Sequence, residues 1–239
     1  MSFLRTWIWI LVSSVLIVVF AIPLYIVRIF GPAASWAVAN GWARVVLWLL
    51  KVICGLSFTV EGKENLPADA GVALIKHSSA FETLAQLVIL PQQCWVLKKE
   101  LIWSPFFGWA LMCLGAIPID RSSGRKAVSQ VLETGKDRIE NGIWVAIFPE
   151  GTRVPAGETK RWGISGILLA QEAGKDITPI AHNAGYYWPR EGWTIYPGTV
   201  RIRIGKPVSP AGKDPRELAE ELQTWMDDQV QEMAPDLQK

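Results

Sequence analysis

His77 and Glu82 are the two residues whose types and spacing best suit proton-transfer chemistry. They lie in Lys76-His77-Ser78-Ser79-Ala80-Phe81-Glu82, directly after the apolar run Val72-Ala73-Leu74-Ile75, and His77 is one of only two histidines. On a regular helix, residues five apart point roughly 140° away from each other, so the pair meets only if the chain turns between them. A strand ending near His77, then a turn into a helix with Glu82 in its first turn, brings them together. A carboxylate so placed accepts one ring N–H and leaves the other nitrogen free to take a proton, which makes the imidazole a general base. A second reading fits the same residues. Ser79-Ala80-Phe81-Glu82 matches the S-x-x-E capping box, in which Glu82 serves only the helix start and His77 is a loop residue.

Other charged residues fall at the ends of apolar runs. Phe148-Pro149-Glu150-Gly151-Thr152-Arg153 follows the run Ile143–Ile147, and Gly115-Ala116-Ile117-Pro118-Ile119 ends in Asp120-Arg121. In open α/β sheets, ligands bind outside the carboxyl ends of strands. Arginine suits phosphate there because its planar fork donates two parallel hydrogen bonds. The plainer readings are a tight turn with solvated charges at Pro149-Glu150-Gly151 and a surface ion pair of little worth at Asp120-Arg121. Upstream, Lys98-Lys99-Glu100-Leu101 reads as a solvated face and Pro105-Phe106-Phe107-Gly108-Trp109 as core.

These residues must be positioned by a chain of 239 residues, enough for one domain and an extra segment. Half of the residues are hydrophobic, 19% are charged, and mean hydropathy is +0.22, values that point to a membrane-attached segment. The net charge of +2 is no signature of a nucleic-acid partner. Trp7 to Val27 runs without a charge, long enough to cross a bilayer core and longer than the usual apolar core of a cleaved signal, despite the small residues Ala33-Ala34-Ser35. Arg44 and Lys51 interrupt the next apolar stretch, Ala33 to Phe58. That stretch is expected to lie in the interface, with Trp36, Trp42 and Trp48 at the headgroup level. Only Arg5 precedes the first span while Arg28, Arg44 and Lys51 follow it, which favours a cytoplasmic location for what comes after. Three cysteines without C-x-x-C spacing read as buried thiols in a reducing compartment. No H-E-x-x-H, no Cys/His cluster and no glycine-rich nucleotide loop occurs, so no metal site or nucleotide cofactor is expected.

From about residue 58 the pattern predicts strands at Phe58–Glu61, Val72–Ile75, Cys94–Leu97, Ala116–Ile119, Ile143–Phe148, Ile177–Ala181 and Val200–Ile204. Helices are expected around Ala80–Leu90, Gly124–Asn141 and Gly163–Ala173. A last helix opens at Asp214-Pro215-Arg216-Glu217, with an apolar stripe of Leu218, Leu222, Trp225, Val230 and Met233. Such alternation predicts an α/β fold with a mixed, largely parallel sheet covered by helices.

Taken together, the segments resemble the 1-acylglycerol-3-phosphate acyltransferases and their glycerolipid relatives, whose four blocks occur here in order across about residues 62–185. The first block, H-x4-D in the family, is His77…Glu82 here. The second is Gly115–Arg121, and the third, F-P-E-G-T-R, is intact at Phe148–Arg153. The fourth is Ile177-Thr178-Pro179-Ile180. Gly62-Lys63-Glu64-Asn65-Leu66-Pro67 and Lys98-Lys99-Glu100-Leu101 support the match.

The resemblance implies a membrane-anchoring helical segment over residues 1–57 and an acyltransferase domain over 58–239. It implies that His77 is the general base on a lysophospholipid hydroxyl and that Glu82 stands in for the family aspartate. Lys98, Arg121 and Arg153 would bind the acceptor phosphate, with Glu150 and Gly151 shaping that site. The hydroxyl would attack the thioester of acyl-CoA or acyl carrier protein directly. No cofactor is implied, and the partners are the two substrates and membrane lipids. The absence of a G-x-S-x-G elbow agrees with direct attack. Two other readings stand beside it: another acceptor, such as a different lysophospholipid, a lyso-aminolipid or glycerol 3-phosphate, and a catalytically silent, membrane-anchored lipid-binding protein.

Overall fold

The computed structural model of the protein describes residues 1–235; residues 236–239 of the expected domain lie outside them. The chain begins with a helical hairpin, α1 (Ser2–Val27) and α2 (Pro32–Leu49). Pro23 sits inside α1 without ending it, and the break comes at Gly31, whose φ of 99° takes the chain out of the helix before Pro32 starts α2. The two helices run antiparallel: Trp9 Nε1 donates to Val46 O at 3.2 Å, and Cys54 Sγ donates to Arg5 O at 3.7 Å. Both are long and apolar enough to cross a membrane by length and composition. The outer side of α1 presents Leu4, Ile8, Leu11, Val15, Val19, Ile22 and Ile26, all exposed.

The second apolar stretch packs one face against the rest of the chain. α2 is wedged between α1 and α3 (Phe81–Ile89), burying Ser35, Ala39, Ala43, Val46 and Leu47. Small residues on one face allow this close approach. Asn40 ties the helix down by donating to Leu87 O at 2.6 Å, and it accepts from Arg44 Nε at 2.7 Å, which gives that charge a partner. Of the three tryptophans expected at the headgroups, only Trp48 is exposed.

The hairpin hands over to a seven-stranded sheet. Its strands are β1 (Leu56–Glu61), β2 (Val72–Ile75), β3 (Gln93–Lys98), β4 (Ile117–Ile119), β5 (Trp144–Ile147), β6 (Ile177–His182) and β7 (Gly198–Ile204). Their order is β1-β7-β6-β2-β5-β3-β4. Every neighbouring pair is parallel except β6 and β7. The structural α/β expectation therefore holds, with each strand found within a few residues of its predicted place.

The central strands β2, β5 and β6 are buried throughout, as parallel strands covered on both faces must be. Ala73, Ile75, Trp95, Leu97 and Ile180 face the hairpin and α3. Val72, Leu74, Cys94, Val145 and Ile177 face the helices of the other side, α5 (Arg125–Glu140), α6 (Ser165–Ala173) and α7 (Pro215–Glu232). The α7 start is as expected, with Asp214 accepting from Arg216 N and Glu217 N. Met226 rather than Trp225 fills the middle of its buried stripe.

The aromatic run before α4 (Phe107–Cys113) is not core. Trp103 is 80% exposed and Trp109 57%, with Phe107 and Met112 also turned out, while α4 buries Leu111 and packs on α1 and on the turn Lys99–Trp103.

Removing residues 1–30 takes away Trp9 and Leu24, each buried and each worth about 1.5–3 kcal/mol by area. The expected product melts earlier and aggregates without detergent, because α2 loses its cover. A truncated chain that stays monomeric in plain buffer, by light scattering, contradicts this account of the hairpin.

Candidate active site

β2 delivers Lys76 and His77 to the carboxyl edge of the sheet, and a tight turn over Ser78–Ala80 starts α3. Glu82 stands in the first turn of α3, where free backbone N–H groups collect. Its Oε1 takes three hydrogen bonds, from Ser78 N at 3.0 Å, Ser79 N at 2.9 Å and His77 Nδ1 at 2.8 Å. One oxygen thus takes the Ser79 amide, as in a capping box, and also holds the imidazole. Ser79 Oγ accepts from Phe81 N at 3.1 Å and donates to Trp188 O at 2.7 Å, pinning the turn.

Burial alone would raise the Glu82 carboxyl. The imidazoles of His182 and His77 and the Ser79 N–H outweigh it, holding the group below the ordinary carboxylate range. As an ionised acceptor, Glu82 places the ring hydrogen of His77 on Nδ1 and leaves Nε2 with its lone pair. Nε2 has no protein hydrogen-bond partner among the described residues.

The F-P-E-G-T-R segment wraps the other side of His77. β5 lies parallel to β2, with Leu74 opposite Ile147, so the chain leaving β5 passes His77. The Phe148 ring stacks on the imidazole, centroids 4.0 Å apart and planes 18° from parallel. Gly151, at φ 69°, turns the chain, and its N–H donates to Phe148 O at 3.0 Å. Val154 N then donates to His77 O at 2.8 Å. Glu150 points inward: its Oε1 accepts from His77 N at 3.3 Å and lies 3.4 Å from Lys76 Nζ. Burial raises the Glu150 carboxyl above its ordinary value, against the pull of Lys76. Lys76 reaches Asp227 of α7 at 3.3 Å on its other side.

His77 opens on a cavity of about 250 Å³. Lys98, Arg121 and Arg153 line it together with His77, and most of the remaining lining is apolar, including Phe20 and Leu24 of α1, Ala39 and Trp42 of α2, and Leu111 of α4. Arg121 does not pair with its neighbour Asp120. Asp120 binds Lys99 at 2.5 Å, while Arg121 Nη1 donates to Gly151 O. Lys98 is exposed and 3.8 Å from Glu100, a screened pair of little strength.

A family model described as Acyltransferase matches residues 57–183. The 1-acyl-sn-glycerol-3-phosphate acyltransferase of Pseudomonas aeruginosa is 41% identical over 201 residues, which cover 83% of this chain and 78% of that one. The chain belongs to the 1-acyl-sn-glycerol-3-phosphate acyltransferase family. The alpha enzyme of Mus musculus is 29% identical over 179 residues, 73% of this chain and 63% of that protein, so the mammalian relative extends well beyond the shared part. In fold, this acyltransferase is similar to the 1-acyl-sn-glycerophosphate acyltransferase PlsC of Thermotoga maritima, with a TM-score of 0.83 and 22% identity over 100% of this chain and 98% of that one.

The structure of this acyltransferase brings His77, Glu82, Lys98, Arg121, Gly151 and Arg153 to one edge of the sheet. Glu150 sits behind them against Lys76, supporting the His77 backbone instead of facing the cavity. Sequence reasoning passed over Lys76, the stacking role of Phe148, and His182. Nothing in the local sequence of Lys76 announces a buried ammonium between two carboxylates. His182 carried a signal that pairing register supplies.

For the dyad, His77→Ala is expected to lose turnover by about 10²–10⁴-fold, the usual scale of general-base catalysis. Glu82→Gln leaves Nδ1 with a neutral partner and is expected to lose much of the rate as well. Wild-type turnover in His77→Ala, with native circular dichroism, excludes the imidazole from the chemistry.

Proposed function

We propose that this enzyme transfers an acyl chain from an acyl thioester, acyl-CoA or acyl carrier protein, to the sn-2 hydroxyl of 1-acylglycerol 3-phosphate, forming phosphatidate. The observation that carries the reading is the 2.8 Å contact between His77 Nδ1 and Glu82 Oε1, with Nε2 free at the mouth of an apolar cavity ringed by three cations. His77 Nε2 takes the hydroxyl proton as the oxygen attacks the thioester carbonyl. The new C–O bond forms and the C–S bond breaks from the tetrahedral intermediate. The departing thiolate then receives the proton from the imidazolium, which Glu82 stabilises while it exists. No acyl-enzyme and no cofactor enter this sequence.

The acceptor phosphate falls to Arg121, Arg153 and Lys98, and the apolar part of the cavity takes an acyl chain. A phosphomonoester bears up to two negative charges, so several cations gathered on one small anion favour it over a diester or a zwitterion. We assign residues 1–57 to the membrane anchor and 58–239 to the catalytic domain, a division that falls within β1. The basic residues after α1 support an inner-membrane location with the catalytic face on the cytoplasmic side, where the thioester donors are.

Purified enzyme in detergent, offered labelled acyl thioester and a panel of lysolipids, tests the acceptor. Lysophosphatidate is expected to be preferred, and its apparent affinity should improve as pH rises through the second phosphate pKa, near ~6. Lysophosphatidylglycerol, a diester without that titration, should show no such gain. The same gain with the diester, or better turnover of a lyso-aminolipid, moves the assignment to another acceptor within the same chemistry.

Arg153→Ala should weaken the acceptor by about 10–150-fold, the scale of one charge-assisted hydrogen bond, and change the donor constant less. Arg121→Ala also frees the Gly151 carbonyl, so a broader effect is expected there. Equal damage to both substrates in Arg153→Ala removes that residue from the phosphate site.

A further inference from the structure

His182, the second histidine, ends β6. The β2–β6 register pairs Ile75 with Ile180 in parallel, so continuing it by two residues sets His182 level with His77. Side chains two apart along a strand point the same way, which puts both imidazoles on the face covered by α3. Glu82 comes down from α3 between them. Its Oε1 bonds His77 Nδ1 at 2.8 Å, and its Oε2 lies 3.7 Å from His182 Nε2. Oε2 is buried and has no hydrogen-bond partner, an uncommon state for a carboxylate oxygen away from water.

The hydrogen bonds of His182 fix its form. Ala184 N donates to Nδ1 at 3.2 Å, so the ring hydrogen is on Nε2, which donates to Lys76 O at 2.8 Å. That N–H points at the Lys76 carbonyl, and the Nε2 edge of the ring lies beside Oε2 without a hydrogen bond to it. The ring is 2% exposed. Burial pushes its basicity down, against the pull of Glu82, so it acts as a neutral dipole. The charged and titratable groups around it are Glu82 from α3, His77 and Lys76 from the end of β2, and behind Lys76 the carboxylates Glu150 and Asp227.

We propose that His182 is a positioning residue for the acyl transfer, holding the second oxygen of Glu82 so that a glutamate serves where the family motif has aspartate. The longer arm lets one carboxylate face two imidazoles. An aspartate at the same helical position is one methylene shorter and satisfies one of them at the expense of the other. His182 thereby locks the rotation of the carboxylate and keeps Oε1 on His77. The proposal rests on the dyad reading above, and the two fail separately: an active His77→Ala enzyme sinks the dyad, whereas an inactive His77→Ala beside an undisturbed His182→Leu sinks only the role of His182.

The test uses the full-length enzyme in detergent, with rates normalised to the folded fraction. His182→Leu is expected to lower kcat by about 10- to 100-fold, the usual scale for losing a group that orients a reacting one, with the acceptor KM within about twofold. His182→Gln offers an amide N–H close to where Nε2 stands and should recover most of the loss. Removing the imidazole beside Oε2 lets the Glu82 carboxyl rise, so the acidic limb of kcat/KM moves to higher pH in His182→Leu. Combined with Glu82→Asp, His182→Leu should cost little more than either change alone. Equal losses in the Leu and Gln variants, an unmoved acidic limb, or additive losses in the double variant overturn the proposal. Where His182→Leu does not fold, Glu82→Asp decides: a wild-type kcat and pH profile in that enzyme overturns it.

Discussion

Glu82 Oε1 is where the fold and the chemistry of this enzyme meet. One buried oxygen accepts from the amides of Ser78 and Ser79, in the turn just before α3, and from the His77 ring. The amides fix where the oxygen sits, because the turn aims both N–H groups at it. The oxygen in turn fixes the tautomer and tilt of the imidazole. Catalytic geometry is therefore inherited from backbone geometry, with few free rotors between them. The usual cost of burying a carboxylate is offset by the two imidazoles beside it and by the amides of the turn.

The sheet does the rest through register. β2, β5 and β6 are adjacent and parallel, so their carboxyl ends lie side by side and bring His77, the Phe148–Arg153 segment and His182 together from distant parts of the chain. Alternation along β2 separates the duties of neighbouring residues. His77 turns to the cavity side, while Lys76 turns to the opposite layer and joins Glu150 to Asp227 of α7. A buried pair of this sort is a weak source of stability but breaking it is costly, roughly 3–5 kcal/mol. The Lys76–Glu150–Asp227 cluster therefore fixes the level at which His77 leaves the sheet.

Much of this was legible in the sequence because it is local. The strand, turn and helix start around His77 follow from an apolar run, a serine pair and a glutamate at capping distance. The central strands announced themselves as continuous apolar runs, as strands covered on both faces do. What was not legible depends on pairing across the chain. His182 has no local motif, and its meaning comes from lying level with His77 through a neighbouring strand. The place of Lys76 was hidden too, since its local sequence does not say which face of the sheet it takes or which carboxylates meet it there. The Phe106–Trp109 run read as core because aromatic composition is shared by interiors and by surfaces that face lipid. The packing of α2 was hidden as well, because the partners of its small-residue face lie in other elements.

The hairpin has one more consequence. α1 touches the domain near both of its ends: Thr6 Oγ1 accepts from Ile195 N, and Leu24 lines the cavity beside His77. The same helix turns a row of bare aliphatic side chains outward. The thickness of one helix thus separates the cavity from that aliphatic row. An acyl chain lying along the outside of α1 would be a single helix away from the wall that Phe20 and Leu24 build beside His77.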